Sequence, residues 1–421
     1  MKPEIAIVGA GYVGVPLAKV FADAGRRVVL VDVVQERVDM LNRGESYIED
    51  VPSETLAKLV ANGLSATTDY DIVRDTDAIL IALPTPLSRQ REPDLSIVKS
   101  AVAEIAKRLR KGHLVVLEST TYPGTTRDEV MPILETSGLK AGEDFYLAFS
   151  PERVDPGRTD FTTKNVPKVV GGMTPACTER AAELYGSAID TIHRVTTPEA
   201  AELTKLLENI FRSVNIALVN ELAILCDRMG IDVWEVVNAA ATKPFGFMPF
   251  SPGPGLGGHC IPIDPFYLTW KAREFGFYTE FIELAGKVNE EMPYFCRSLV
   301  SQALNHAKQM SLKGSQILVL GVAYKPDIGD MRESPALKLI SLLQNAGADV
   351  SYHDPHVPRF AEHGLEMECV PLDPKAYDAV VIVTDHHSID YEQLVDDATL
   401  VVDLRNATGP KGTASEKVFK L

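Results

Sequence analysis

The sequence lacks any Cys-X-X-Cys pair, and it has no uninterrupted apolar run close to eighteen residues. Five cysteines in 421 residues leave one without a partner, which argues against a disulfide framework and favours reduced thiols. No basic segment precedes the first strand pattern, so neither a signal peptide nor a bilayer span is predicted. We therefore expect a cytoplasmic protein without a membrane partner.

Basic residues are scarce relative to acidic ones, at 42 against 58, and the net charge is −16. A surface of this sign argues against nucleic acid or an anionic membrane as a partner. Any site for a phosphate group must therefore be built locally. The chain is too long for one ordinary core, so two or three domains are expected.

Short apolar runs alternate with helical periodicity over the first two hundred residues. This alternation is typical of a doubly wound parallel sheet, which we expect to end near residue 197. The predicted strands are 5–8, 28–31, 78–82, 114–117 and 145–148, and the predicted helices include 15–24 and 97–109.

One long helix is predicted over 198–229, with Thr197 as its N-cap, proline at its first position and Gly230 closing it. A helix of this length is a connector or a dimer face. Helical segments are expected to continue to about Gln309, interrupted by a Pro/Gly-rich stretch over 244–265.

The last third of the chain resembles the first. A strand over 316–320 is followed by Gly321 and a helix over 336–345, and residues 346–354 match residues 24–32 in pattern. A longer loop replaces the compact glycine turn, so we expect this copy to have lost dinucleotide binding. The predicted fold class is α/β, with two Rossmann-like doubly wound domains joined by a central helical domain with a long connecting helix. The predicted boundaries are 1–197, 198–311 and 312–421.

A glycine turn follows the first predicted strand and opens the first predicted helix. Gly9 and Gly11 would permit close approach of a pyrophosphate, and Gly14 would let the helix pack closely on the strand. Asp32, at the end of the next strand, would accept from a ribose hydroxyl and repel a 2′-phosphate, which favours NAD over NADP. Arginines at 26, 27 and 37 could accommodate a 2′-phosphate, so NADP remains an alternative cofactor. The alternative to a dinucleotide site is a purely structural glycine turn that binds no ligand.

Cys260 lies in a glycine-rich loop four residues before Asp264. A thiol in such a loop is a candidate nucleophile, although a lone cysteine is more often a small buried hydrophobe. A polar stripe on the long helix, made by Lys205, Asn209 and Arg212, could polarise an oxygen, although such stripes are usually solvated faces. Loops after other strands, which contain Thr85, Thr120 and Glu152 with Arg153, are expected at the ligand-binding edge of the sheet. No metal site is predicted, and four histidines near the second copy, at 353, 356, 386 and 387, are interpreted as structural.

Six motifs in order along the chain resemble those of the UDP-glucose/GDP-mannose dehydrogenase family. The matching segments are 9–14, 118–120, 150–153, Lys205 with Asn209, 257–264 and 325–335. The resemblance implies NAD as cofactor, a UDP-sugar as substrate, a homodimer or higher homo-oligomer, and two successive hydride transfers that convert a sugar C6 alcohol to an acid for surface polysaccharide.

The resemblance also implies residue roles. Cys260 would hold the C6 carbon as a thiohemiacetal and then a thioester, with Lys205 and Asn209 stabilising charge on the oxygen. The remaining catalytic positions are Asp264, Thr120 and Glu152. The implied cofactor contacts are Gly9, Gly11, Tyr12, Val13, Gly14, Asp32, Arg37, Thr85, Thr120 and Arg332. The implied substrate contacts are Glu152, Arg153, Lys205, Asn209, Arg212, Gly257, His259, Lys325 and Arg405.

The chain departs from the UDP-glucose branch of this family. Pro156 stands where that branch has a second glutamate, whose role is vacant or moved to Asp155, and His259 stands where the branch tends to have serine. The run over 259–268 is similar to the UDP-N-acetylhexosamine dehydrogenases, especially those acting on UDP-N-acetylglucosamine. UDP-N-acetylmannosamine and UDP-glucose are the alternatives within the class. A non-catalytic nucleotide-sugar or NADH sensor and a one-step 3-hydroxyacid dehydrogenase are the alternatives outside it.

Overall fold

The computed structural model describes residues 2–48, 50–88, 91–154, 161–258 and 261–421. The chain forms two compact units: an N-terminal unit of residues 1–208 and 266–277, and a C-terminal unit of residues 209–265 and 278–421. The short segment 266–277 thus returns to the N-terminal unit. The division into three domains stays a prediction.

The N-terminal unit has alternating strands and helices, as the sequence pattern predicts. Its strands are β1 (Ile5–Val8), β2 (Val28–Val31), β3 (Ser65–Thr67), β4 (Ala78–Ile81), β5 (Leu114–Leu117), β6 (Tyr146–Phe149), β7 (Lys168–Gly172) and β8 (Ile192–Val195). Its helices are α1 (Gly14–Asp23), α2 (Gln35–Asn42), α3 (Ser53–Ala61), α4 (Ser96–Ala106), α5 (Met131–Leu134) and α6 (Pro175–Gly186), followed by the start of α7 (Pro198–Met229).

The eight strands form one sheet in the order β3-β2-β1-β4-β5-β6-β7-β8. The inner strands are apolar and buried along their whole length because helices cover both faces, as in other doubly wound sheets. Strand β7 runs antiparallel to β6. Its first residue, Lys168, therefore lies at the edge where β5 and β6 end.

The returning segment packs on loops of the same unit. The ring of Trp270 lies 5.0 Å from that of Tyr122 between centroids, and the Lys271 ammonium lies 5.2 Å from the Tyr122 ring. The hydroxyl of Tyr267 donates to the carbonyl of Thr85. Tyr122 and Tyr267 are consequently buried.

The C-terminal unit contains helices from both the centre and the end of the chain. They are the remainder of α7, α8 (Val233–Ala241), α9 (Asp264–Ala272, of which only the start belongs to this unit), α10 (Glu280–Lys308), α11 (Pro335–Asn345), α12 (Tyr391–Asp397) and α13 (Gly409–Thr413). The strands are β9 (Gln316–Leu320), β10 (Asp349–His353), β11 (Arg359–Glu362), β12 (Leu365–Glu368), β13 (Ala379–Ile382), β14 (Val401–Asp403) and β15 (Val418–Lys420).

Five of these strands form a parallel sheet in the order β10-β9-β13-β14-β15, and β11 pairs with β12 as a separate hairpin. One apolar cluster joins this sheet to α7, α8, α10 and α11, through residues such as Val219, Trp234, Cys296 and Leu339. The predicted α/β fold class, with two Rossmann-like sheets and a long helix, is confirmed.

Helix α7 has the predicted bounds, and the Thr197 hydroxyl caps it by accepting from the Ala200 N–H. Among the described residues it is the single helix long and apolar enough to cross a bilayer by length and composition, with a mean hydropathy of 1.3 over its most apolar window. Of that window 44% is buried inside the fold. A buried core helix passes the same test, so this is weak support for a membrane span.

Candidate active site

The three glycines of the turn between β1 and α1 differ in the space around them. A Cβ atom on Gly9 would lie 2.3 Å from the carbonyl oxygen of Ala82, and one on Gly14 would lie 1.8 Å from the carbonyl oxygen of Gly9. A Cβ atom on Gly11 would meet nothing within 4 Å. Gly9 and Gly14 are therefore required by packing, whereas Gly11 leaves room for a ligand at the N-terminus of α1. This geometry fits a dinucleotide pyrophosphate.

Asp32 connects the glycine turn to β2. Its carboxylate accepts from the N–H groups of Ala10, at 2.9 Å, and Val34, at 3.0 Å. Arg26 and Arg27 both pair with Glu4, at the amino end of the sheet and away from the turn. Of the three arginines that kept NADP open, Arg37 alone remains on the side of Asp32, so the geometry favours NAD.

The second sheet repeats this arrangement around Asp354, whose carboxylate accepts from the N–H groups of Val322, at 2.7 Å, and His356, at 2.8 Å. There, however, Nε2 of His386 lies 3.0 Å from Asp354 Oδ2, and both side chains are buried. A carboxylate covered in this way has no face left for a ribose hydroxyl. The interaction gives a physical reason for the predicted loss of dinucleotide binding in the second copy.

The loops after β4 and β5 are joined at the carboxyl edge of the first sheet. The Thr85 hydroxyl donates to the carbonyl of Thr120 at 2.7 Å, and the Ser119 hydroxyl accepts from the Leu83 N–H at 3.0 Å. Thr120 is half-buried, so its side chain is held at the edge where doubly wound folds bind ligands.

Glu152, in the loop after β6, is held from several directions. Its Oε1 accepts from the N–H groups of Arg153, at 2.8 Å, and Val154, at 2.9 Å, and its Oε2 lies 3.4 Å from Nζ of Lys168. Burial alone would raise the pKa of Glu152, but Lys168, the two N–H groups and Lys205 outweigh it, so the pKa lies below its usual value. The carboxylate is therefore ionised at neutral pH.

The guanidinium of Arg153 makes hydrogen bonds within the protein. It binds both carboxylate oxygens of Glu208 and the carbonyl of Pro167. These contacts anchor the loop that contains Glu152. The implied substrate contact of Arg153 stays a prediction, and the structure gives its side chain an anchoring role.

In the C-terminal unit, the Asn209 amide joins two other polar residues. Its Nδ2 donates to Asp264, and its Oδ1 accepts from Arg212 at 2.6 Å. Asn209 is 1% exposed and Asp264 is 3% exposed. The stripe on α7 is thus not a solvated face: Lys205, in the N-terminal unit, and Asn209 are both buried.

The glycine-rich loop packs closely on the segment after β9. A Cβ atom on Gly257 would lie 2.5 Å from Cβ of Tyr324, and the Gly258 N–H donates to the carbonyl of Arg332 at 2.9 Å. The next two residues, His259 and Cys260, lie outside the described residues, as do Asp155 and Pro156. Their predicted roles stay predictions.

A small, solvent-open pocket lies at the carboxyl ends of β9 and β13. Arg405 lines it and is held by Asp385 at 3.2 Å. Lys325 is half-buried in the loop after β9, and Arg332 pairs with Asp330. Cations at this edge are suited to diphosphate oxygens. The other lining residues are Pro254, Gly255, Tyr324, Pro326, Pro335, Val383 and Thr384.

Three side chains in this unit have potential metal ligands within 4.8 Å of one another: Asp327, His356 and His386. Both ring nitrogens of His386 already have partners, because Nδ1 accepts from the Asp327 N–H at 3.0 Å and Nε2 faces Asp354. These contacts hold the loops of Asp327 and Asp354 together, and they support the structural interpretation of His386.

Sequence reasoning missed Lys168, Tyr185 and Glu202, and it gave no role to Glu118, although residue 118 lies in a matching motif. Glu118, Lys168 and Tyr185 form a buried polar cluster, and Glu202 accepts from the Gly124 and Thr126 N–H groups at 2.6 and 2.8 Å. The signal for Lys168 was a lysine at the first position of an otherwise apolar strand. Nothing local to the sequence connects it with Glu118.

Comparison with known proteins gives three family matches in order along the chain. The NAD binding domain of the UDP-glucose/GDP-mannose dehydrogenase family matches residues 3–189, its central domain matches 199–291, and its UDP binding domain matches 318–410.

Individual relatives match over most of the chain. The UDP-N-acetyl-D-glucosamine 6-dehydrogenase of Pseudomonas aeruginosa is 36% identical over 91% of this chain and 90% of its own length. The UDP-N-acetyl-D-mannosamine dehydrogenase of Pyrococcus horikoshii is 37% identical over 93% of this chain and 92% of its own. A solved structure of the UDP-D-ManNAc dehydrogenase from Pyrococcus horikoshii superposes with a TM-score of 0.90 at 34% identity, covering 99% of this chain and 98% of that one.

Proposed function

The chain belongs to the UDP-glucose/GDP-mannose dehydrogenase family and is an NAD-dependent UDP-sugar 6-dehydrogenase, and from this premise we propose its substrate and mechanism. The substrate is UDP-N-acetylglucosamine, whose C6 hydroxyl is oxidised to a carboxylate in two steps. The single observation that most supports a catalytic role is the buried contact between Asn209 and Asp264, fixed by Arg212.

The glycine turn and Asp32 would hold NAD, and bound NAD would supply the hydride acceptor for both oxidations. Lys205 and Asn209 stabilise negative charge on the C6 oxygen, since an ammonium and an amide N–H are suited to an oxyanion. The orientation of the Asn209 amide is set on both sides, because Arg212 takes its oxygen and Asp264 takes one of its N–H groups. The second N–H is the one that serves the substrate.

Cys260 retains the intermediate between the two oxidations. Its thiol adds across the C6 aldehyde to form a thiohemiacetal, which loses a hydride from C6 and a proton from the hydroxyl to become a thioester. Water then releases the acid and regenerates the thiol. Asp264 accepts protons in this sequence through a water, and the ionised Glu152 orients the hydrolytic water. Thr120 is proposed to lie near the reacting carbon.

The choice of UDP-N-acetylglucosamine is supported by the run over 259–268 and by the activity for which the Pseudomonas relative is named. UDP-N-acetylmannosamine, which the Pyrococcus relative is named for, differs only in configuration at C2 and is the first alternative. Arg405, which lines the pocket at the edge of the second sheet, and Lys325, in the loop after β9, are proposed to bind the diphosphate.

The test is the yield of NADH per sugar consumed, measured with NAD on UDP-N-acetylglucosamine, UDP-N-acetylmannosamine and UDP-glucose. We expect two NADH per sugar on UDP-N-acetylglucosamine, and a Cys260→Ser variant that stalls without producing acid. Two NADH on another sugar would correct the substrate and keep the mechanism. Full acid production by Cys260→Ser would remove the covalent mechanism, and no NADH from any sugar would favour a sensor.

We also propose a homodimer through α7. Within the C-terminal unit this helix exposes apolar side chains at helical spacing: Leu218 is 55% exposed, Leu225 is 49% exposed and Met229 is 60% exposed. Phe211 and Leu222 lie on the same stripe. A second copy of the chain would cover this surface. An odd number of cysteines without a Cys-X-X-Cys pair supports a cytoplasmic location.

A further inference from the structure

We propose that Lys168 is a positioning residue for the reaction: its ammonium, buried between Glu118 and Glu152, holds the Glu152 carboxylate in place at the edge of the sheet. This inference rests on the proposed role of Glu152. Neither Lys168 nor Glu118 is among the residues that the sequence motifs placed in the chemistry.

The position of Lys168 follows from the direction of β7. A parallel strand would have its first residue at the amino edge of the sheet, far from the loops after β5 and β6. Because β7 is antiparallel to β6, Lys168 instead meets Glu118, which directly follows β5, and Glu152, which follows β6. The hydroxyl of Ser150 donates to the Val169 carbonyl at 2.8 Å and fixes this crossing.

The cluster contains one buried ammonium and two carboxylates, which lie at different distances from it. Lys168 is 3% exposed and Glu118 is 2% exposed, and Nζ of Lys168 lies 2.6 Å from Glu118 Oε2 and 3.4 Å from Glu152 Oε2. The other oxygen of Glu118 accepts from the Tyr185 hydroxyl, and the Tyr185 ring lies 5.3 Å from the ammonium. One ammonium thus pairs with two carboxylates. Because Tyr185 holds Glu118, and Glu118 holds Lys168, the ammonium stays close to Glu152.

Removing the cation would leave two carboxylates side by side in a buried site. Burial and the neighbouring charge would then favour protonation, which takes away the ionised Glu152. The charged or titratable groups that act on Glu152 here are Lys168, Lys205 and Glu118, with Tyr185 behind Glu118. Of these, Lys205 remains after the substitution but makes a smaller contribution than Lys168.

The experiment compares Lys168→Met and Lys168→Arg with the wild type in the full-length enzyme. For Lys168→Met we expect kcat to fall at least about tenfold and the acidic midpoint of the kcat/KM profile to rise by about one pH unit or more. Lys168→Arg, which keeps the charge, should restore the wild-type midpoint. A merely structural role would lower activity without moving the midpoint.

Lys168→Met leaves Glu118 without its cation and can fail to fold, so the double variant Glu118→Gln with Lys168→Met is measured as well. It removes the buried ion pair as a unit and still takes the cation from Glu152. We expect the midpoint to rise here too, but by less than in Lys168→Met, because the like charge of Glu118 is removed together with the cation. Wild-type kcat with an unmoved midpoint in the double variant overturns the proposal, and so does failure of both variants to fold.

Glu152→Gln, measured in parallel, separates this inference from the proposed function. Wild-type activity in Glu152→Gln would remove the proposed role of Glu152 itself. If Glu152→Gln is impaired while the double variant keeps the wild-type kcat and midpoint, only the positioning role of Lys168 is overturned.

Discussion

The side-chain amide of Asn209 donates to the carboxylate of Asp264, and this buried contact joins the middle of α7 to the first residue of α9. Because Arg212 holds the amide oxygen, the amide cannot turn over without losing a charge-assisted hydrogen bond. The contact therefore sets the direction of the N–H group that we assign to the substrate.

Asp264→Asn should lower kcat by about a hundredfold, since a side-chain amide cannot take up a proton as the carboxylate does. The measurement is steady-state NADH formation with saturating NAD. Asp396→Asn, an exposed carboxylate on α12, is the matched control and should behave as wild type. An Asp264→Asn enzyme of wild-type kcat would exclude a proton-transfer role for this residue.

Substitutions at two glycines of the first turn should separate folding from cofactor binding. Gly14→Ala places a methyl group against the Gly9 carbonyl, so we expect a lower melting temperature. Gly11→Ala meets open space in the protein and should melt like the wild type, yet bind NADH at least about tenfold more weakly, because the methyl group occupies the room left for the pyrophosphate. Thermal melts and NADH fluorescence titration check both. Wild-type NADH affinity in Gly11→Ala would contradict this placement of the pyrophosphate.

Glu202 should make stability depend on pH near neutrality. Burial raises its pKa to about 7 against the opposing hydrogen bonds from Thr126 and Gly124. A raised carboxyl pKa stabilises the fold at low pH, and this stabilisation is lost as the pH rises from the unfolded value through about 7. Relative to Glu202→Gln, the free energy of unfolding of the wild type should therefore fall by on the order of 3 kcal/mol across this range. Chemical denaturation at a series of pH values measures it.

His113 provides a control of opposite sign. Burial lowers its pKa to about 4, and a lowered histidine pKa gives stability that is present above the unfolded value and lost as the pH falls toward 4. His113→Asn keeps an acceptor for the Arg110 N–H and should remove this acid-side loss. If both variants changed the pH profile in the same direction, the assignment of either slope to its residue would be wrong.

A charge on the exposed stripe of α7 should separate the proposed dimer. Leu222→Asp places a carboxylate where a partner chain would bury an apolar side chain, so the dissociation constant should rise at least about a hundredfold. Analytical ultracentrifugation of Leu222→Asp and of the conservative Leu222→Met checks it. A wild-type protein that sediments as a monomer at all concentrations would remove the proposed interface.

The sequence predicted those parts of the fold and site that depend on neighbours along the chain. The turn over 9–14 and the acceptor Asp32 follow from a fixed spacing within one βαβ unit, and the bounds of α7 follow from Thr197 and Gly230. Helix α4 shows where such reasoning stops: the apolar pattern continues to Leu109, but the helix ends at Ala106 and Leu109 packs on the core from a turn.

Tertiary contacts could not be predicted in this way. The meeting of Lys168 with Glu118 depends on one reversed strand, and a four- or five-residue apolar strand has the same pattern in either direction. Likewise, burial of Lys205 and Asn209 depends on what packs against α7. Helical periodicity placed these residues on one stripe, but it could not show whether that stripe is buried or faces solvent.

The return of residues 266–277 to the N-terminal unit has a consequence for synthesis of the chain. When translation has just passed Glu208, Trp270 and Tyr267 do not yet exist, so Tyr122 is uncovered and the Thr85 carbonyl has not met its tyrosine donor. The nascent N-terminal unit is complete only once residue 277 has left the ribosome. A gene fragment cut before α7 would accordingly encode an unfinished unit with an exposed aromatic surface.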